Sequence, residues 1–324
     1  MRRLGTPLRA VYHPLGFPLE VETNDARVLA HAAASFGVFR EGRPQGPPMQ
    51  MRVICDPHAK AQPPWPAHSF RASGDLFTLV GGPENFLICD LQRRQATAFL
   101  APALLEDRDY FCTDFLESFV YMTIQRHWAT PIHAACVVRD GQGICLAGNS
   151  TSGKSTLAYF CAKSGYALLS DNSVWLRNAR ENRNLLGNPS RLHLRVQARE
   201  LFPELGGLPA SRHANGQEFL AVPIAEMLPE RLAIEAQPGP FVFLDRCAAT
   251  AHPSLEPFSI EEAHRRLVAD RNPNIDEPHV MRETERVIGE AVGAGAYSMR
   301  YATLQQALEC LDQIPLIASE RNPL

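Results

Sequence analysis

A chain of 324 residues, 45% hydrophobic and 21% charged, has the composition of a folded globular protein with room for two domains, which excludes a disordered chain. Its 32 Lys and Arg stand against 35 Asp and Glu, a net charge of −3, so no general basic surface invites nucleic acid or an anionic membrane. No apolar run approaches the roughly 18 residues of a membrane span, and the N-terminal MRRLGTPLRAVYHPLG has no long apolar core of a signal peptide behind its charges.

The eight cysteines are scattered, without a CxxC pair. Small buried hydrophobes in a reducing cytoplasm are the expected role and compartment.

Along the first 100 residues, the runs LEVE near residue 20, MRVIC from Met51, LFTLV from Leu76, NFLICD from Asn85 and TAFL from Thr97 alternate as strands do. Pro and Gly are dense from Gly42 to Pro66, which reads as a surface loop. Residues 1–110 are therefore expected to form a β-rich N-terminal domain and residues 111–324 a second domain mixing helix and strand. Asp114 with Glu117 is a helix-start pattern, followed by Leu116, Phe119, Val120 and Ile124 at helical spacing; this helix is expected to bridge the domains. Ser259 with Glu262 and Thr303 with Gln306 mark two further helix starts.

The segment GICLAGNSTSGKSTLAYFCAKSG places Gly148, Gly153, Lys154 and Ser155 in the order G-x-x-x-x-G-K-S, the pattern of a phosphate-binding loop. Ile144 to Ala147 is a short apolar run suited to a buried strand. Lys154 to Ser164 carries Leu157, Phe160 and Cys161 on one helical face, and Gly165 stops the helix. Polyphosphate needs a concave ring of backbone N–H donors, which glycine permits by adopting positive φ and adding no bulk. The helix N-terminus adds partial positive charge. Gly148, Asn149, Ser150, Thr151, Ser152, Gly153, Lys154, Ser155 and Thr156 are thus the candidate ATP contacts, with Lys154 at the β- and γ-phosphates and the Ser155 hydroxyl on Mg²⁺.

A second acidic group decides what such a loop does, and there are two candidates. Asp171 lies in YALLSDNSVWL, after the loop helix. Asp245 ends the apolar run Phe241 to Leu244 and suits the Mg²⁺-side strand of a P-loop ATPase. Arg191, Arg195 and Arg300 are candidates to stabilise transferred charge. The cluster Arg191, Arg195 and Arg199 reads as a solvated face rather than a polyanion site.

The stretch IHAACVVRDGQGICLAGNSTSGKSTLAYFCAKSGYALLSDNSVWL resembles the HPr kinase/phosphorylases, which share a nucleotide core with phosphoenolpyruvate carboxykinases. His133 stands 15 positions before Gly148 and Asp171 stands 17 after Lys154, as in that family, and GNPSRLHLR from Gly187 is similar to a family loop. The first 110 residues carry no such likeness. The resemblance implies a mixed α/β kinase domain with flanking helices, ATP and Mg²⁺ as cofactors, and transfer to a Ser or Thr of a protein or peptide. It makes Asp171 the group that takes the acceptor's proton, His133 a group that fixes the site, and the assembly a homo-oligomer. Asn172 stands where the family carries a second Asp. Its carbonyl oxygen is a neutral Mg²⁺ ligand, which weakens metal binding. Three readings stay open: a Ser/Thr kinase of proteins or of peptides undergoing tailoring, an ATPase using Asp245, and a nucleotide-binding regulatory protein without turnover.

Overall fold

The computed structural model describes residues 5–39, 47–190, 192–212, 217–248, 252–270 and 277–315. The fold is mixed α/β and divides into two compact units, Met1–Trp128 and Ala129–Leu324.

In the first unit, β1 (Leu8–Tyr12), β2 (Leu19–Thr23), β3 (Met49–Cys55), β4 (Ser69–Ser73), β5 (Leu76–Val80), β6 (Phe86–Asp90) and β7 (Gln95–Leu100) form one sheet in the order β1-β2-β3-β7-β6-β5-β4. Every expected strand is present, and the alternation that suggested them is the burial pattern: Leu19, Val21 and Thr23 face in, as do Ala96, Ala98 and Leu100. The Pro and Gly stretch from residue 42 to 66 is not one loop, because β3 runs through it, parallel to both β2 and β7. Its residues 42–46 lie outside the described ones.

Helix α1 (Ala26–Phe36) starts where the Asp25 carboxylate accepts from the Arg27 amide, and it buries Val28, Ala32 and Phe36 at four-residue spacing.

The second helix of this unit, α2, runs from Arg108 to His127. It starts earlier than Asp114, since Asp107 is the residue whose side chain accepts from the Tyr110 amide. Asp114 and Glu117 fall inside a π-helical stretch, Phe111–Glu117. Phe111, Phe115, Phe119 and Val120 are buried, and the helix lies wholly in the first unit, so the division falls at Trp128 rather than at residue 110.

The second unit is organised around β10 (Gln142–Ala147), all six residues of which are buried. It lies between β9 (Ala135–Arg139) and β18 (Phe241–Arg246) in the sheet β11-β9-β10-β18-β20-β19, where β11 is Ala167–Ser170, β19 is Ser254–Pro257 and β20 is Ala296–Tyr301. β10, β18 and β20 are parallel neighbours. Strands covered on both faces read as continuous apolar runs. Here Ile144 and Leu146 enter one cluster with Leu157, Cys161 and Tyr301, while Cys145 and Ala147 enter another with Ala263, Leu267 and Val287.

Helix α3 (Lys154–Lys163) covers the first face together with α6 (Leu304–Asp312), and α4 (Ile260–Ala269) covers the second with α5 (Pro278–Ala291). Phe160 of α3 is only partly buried, whereas Leu157 and Cys161 are fully so. The expected starts of α4 and α6 are present: Ser259 accepts from the Glu262 amide, and Thr303 and Gln306 form a reciprocal capping box.

An antiparallel four-stranded sheet, β17-β13-β12-β8, adjoins the core; its members are β8 (Ala129–His133), β12 (Ser173–Arg177), β13 (Leu185–Leu186) and β17 (Glu235–Ala236). A third sheet contains β14 (Leu192–Arg195), β15 (Ala210–Arg212) and β16 (Glu218–Val222). The chain crosses from the four-stranded to the six-stranded sheet between His133 and Ala135, and back between Ser170 and Ser173. The crossings are neighbours, because Ser173 pairs with His133 and Ser170 with Cys136.

Exposed Glu290 at the end of α5 binds Arg180 and Arg286, each at 2.8 Å, and Arg183. Desolvation in this cluster pushes its carboxyl up, but hydrogen bonds from Arg286, Arg180 and Arg183 outweigh that and hold it at about 2, against an ordinary 4.5. A carboxyl depressed by folding stabilises the native state above its unfolded value, and that contribution fades as pH falls from 4.5 toward 2. Glu290→Gln is therefore expected to have a lower urea midpoint than the wild type at pH 7 and the same midpoint near pH 2. A gap unchanged between those pH values would show that the cluster adds no pH-dependent stability.

Seven of the eight cysteines are buried and Cys247 is half-buried. Among the described residues, no helix is long and apolar enough to cross a membrane.

Candidate functional site

The loop from Gly148 to Ser155 joins the C-terminal end of β10 to α3. Its backbone is left-handed at Gly148 (φ 148°), Thr151 (φ 78°) and Gly153 (φ 93°). A Cβ on Gly148 would lie 2.9 Å from Ser152 Oγ, so both conformation and space call for glycine there. Asn149, Ser150 and Thr151 are exposed, whereas Ser152, Gly153, Ser155 and Thr156 are half-buried.

Lys154 is only 8% exposed. Its ammonium turns back into the loop and donates to the carbonyls of Gly148 (2.7 Å) and Asn149 (3.3 Å). Burial lowers its pKa, and the Asp270 carboxylate opposes that shift. The first turn of α3 thus gathers a held cation, a hydroxyl and helix-end amides at one point.

Asp171 and Asn172 form the link between β11 and β12. The Ser155 hydroxyl lies 3.4 Å from the Asp171 carbonyl, and one Asp171 carboxylate oxygen accepts from the His193 amide at 2.8 Å. The carboxylate is therefore oriented from β14, while its backbone is held against α3. Ser170 tightens the link, its hydroxyl donating to the Ser173 carbonyl (2.7 Å) and accepting from the Ser173 amide (3.2 Å). Asn172 is exposed beside Asp171, with its amide 3.4 Å from Ser170 Oγ.

His133 ends β8, and it faces Ser173 across the ladder, one residue beyond Asn172. Burial pulls its pKa down and the Lys154 ammonium acts the same way, with Asp270 opposing both. His133 and Lys154 therefore feel each other's charge, and both feel Asp270.

Asp245 is exposed near the end of β18. The register pairs Ala147 with Phe243 and Asp245 with Arg300, so Asp245 sits at the same sheet edge as the loop, on the parallel neighbour of β10. The arginines divide. Arg195 and Arg300 are exposed, and Arg199 donates to the Leu208 carbonyl (2.5 Å) as part of its own turn. Arg191 lies outside the described residues.

Sequence reasoning missed Asp270. It follows α4, and its amide is bonded to the Arg266 carbonyl at 3.0 Å. The packing of Ala263 and Leu267 in one cluster with Ile132, Ala134 and Ala147 brings the helix end close enough for Asp270 to act on His133. No local pattern signals this, since it depends on how α4 returns across the sheet.

No family model and no curated protein matches the chain. Among solved structures it aligns with the Hpr(Ser) kinase/phosphatase from Coxiella burnetii at 12% sequence identity, over 56% of this chain and 88% of that one, with a TM-score of 0.29. A superposition of that quality carries no weight on chemistry.

Proposed function

We propose that the second unit is an ATP-dependent kinase that moves the γ-phosphate to a Ser or Thr hydroxyl of a protein or peptide. The observation that carries this reading is the seating of the Asp171 link against the first turn of α3, through Ser155, with its carboxylate oriented by the His193 amide. A carboxylate beside the phosphates is what an attacking hydroxyl needs, because positioning and charge do most of the catalysis in phosphoryl transfer.

In this reading the loop amides and Lys154 hold the polyphosphate. The acceptor oxygen forms its bond to the γ-phosphorus as the bond to the β-bridging oxygen breaks, its proton passes to Asp171, and ADP leaves. His133, held low in pKa by burial and by Lys154, orients the site as a neutral imidazole.

The residues fit a Mg²⁺ ion of modest affinity. Among the described residues no group of three His, Cys, Asp or Glu side chains could hold a metal, so Ser155 and Asn172 would share it with phosphate oxygens. When bound, the ion neutralises charge on the β- and γ-phosphates.

The position of Asp245 beside β10 favours a second reading, an ATPase in which Asp245 serves the metal. Incubating the purified chain with γ-labelled ATP and a pool of Ser/Thr peptides separates the two. Label on a peptide is expected, and label released only as free phosphate would replace the kinase reading with the ATPase. Binding without any turnover would leave a regulatory nucleotide-binding protein.

A further inference from the structure

Behind the loop, on the side of the sheet, stands Tyr301, the last residue of β20 and only 1% exposed. Its ring belongs to the cluster formed by Ile144, Leu146 and Leu157. Its hydroxyl donates to the Ser152 carbonyl at 3.3 Å and lies 3.4 Å from where a Cβ on Gly153 would stand. Burial pushes the phenol up to about 12, which keeps it a protonated donor. The strand end carrying it is itself pinned, since the Tyr301 carbonyl accepts from the Cys247 amide at 3.0 Å.

In a trans peptide the C=O and N–H point in opposite directions. With the Ser152 carbonyl turned toward Tyr301, the Gly153 N–H is turned away from it. The loop does not fix this peptide through its own Ser152 side chain, whose Oγ is buried against Gly148 with no hydrogen-bond partner among the described residues. Gly153, with φ 93°, has more backbone freedom than any other residue type would allow there, so an external anchor has something to fix.

We infer that Tyr301 is a positioning residue for the nucleotide phosphates, one that sets the Ser152–Gly153 peptide from behind so that the Gly153 N–H enters the ring of donors. This rests on the nucleotide-binding reading above. A donor that has lost its preset direction must be ordered when the ligand binds, and a hydrogen bond to a charged group is among the stronger ones. Its loss is worth about a factor of ten in affinity.

Calorimetry on the full chain with ADP plus Mg²⁺, and separately with adenosine, tests the inference. Tyr301→Phe keeps the ring and its packing. It is expected to bind ADP about tenfold more weakly than the wild type, to bind adenosine equally well, and to melt within a few degrees of the wild type. Unchanged ADP affinity would overturn the role of Tyr301 while leaving nucleotide binding intact. Equal weakening for ADP and adenosine would reduce Tyr301 to a packing residue, and a wild-type protein that ignores ADP would sink the nucleotide reading and this inference with it. Amide spectra of wild-type protein labelled with ¹⁵N-glycine give a check that needs no variant. The Gly153 resonance is expected to move downfield on adding ADP, and a resonance that stays put overturns the proposal.

Discussion

Asp171→Asn is expected to lower acceptor phosphorylation by about 10² to 10⁴, the usual range of general-base help, with ATP affinity nearly unchanged. The substitution removes the proton acceptor but keeps a side-chain oxygen to meet the His193 amide, now at 2.8 Å, so the link between β11 and β12 keeps its shape. A fall in kcat without a matching change in nucleotide affinity marks a group used only in the transition state. Asp245→Asn is the paired control. It should do little, because Asp245 is exposed at the sheet edge and the kinase reading gives it no chemical task. Transfer and hydrolysis rates for the two variants decide, and loss confined to Asp245→Asn would hand the site to the ATPase reading.

Lys154→Ala should abolish detectable transfer and weaken ADP and ATP binding together. In the protein the Lys154 ammonium bonds to the carbonyls of Gly148 and Asn149, so removing it takes away a charge for the phosphates and also two ties within the loop. Lys154→Arg, tested beside it, keeps the charge with a different shape and should recover little, since a planar fork cannot replace a compact ammonium in so enclosed a place. Calorimetry with ADP and a transfer assay on both variants supply the check. Wild-type affinity and activity in Lys154→Ala would mean that the loop does not bind phosphates.

The parts of this fold legible in the sequence are those governed by local rules. Alternation gave away β2, β5 and β7, the apolar run Ile144 to Ala147 marked the buried strand β10, and Thr303 with Gln306 marked the start of α6. A pattern that matches can still mislead. Asp107 and Asp114 both precede helical sequence, and the actual cap is Asp107 because the π-helical stretch carries the helix through Asp114. The dense prolines around β3 hid its setting, though MRVIC itself reads as a strand.

At the site, spacing from the loop brought Asp171 into view, since one helix and a returning strand fix where it lands. Asp270 and Tyr301 act across the fold, from the end of a helix and the end of a strand. Their relevance exists only after packing, which is why no motif contains them.

The two neighbouring crossings between sheets, His133 to Ala135 and Ser170 to Ser173, have a mechanical consequence. Where two plates are joined along a line, points on the line keep their separation while the plates tilt. His133 and Asp171 both sit on that line, one on each strap, whereas the Gly148–Ser155 loop springs from the interior of one plate. A tilt of the four-stranded sheet against the six-stranded one would leave the imidazole and the carboxylate in step with each other and, since the line also belongs to the plate that carries the loop, at an unchanged distance from it, as the Ser155 contact to the Asp171 carbonyl requires. The proposed general base and the imidazole that orients the site stand where such a tilt disturbs them least.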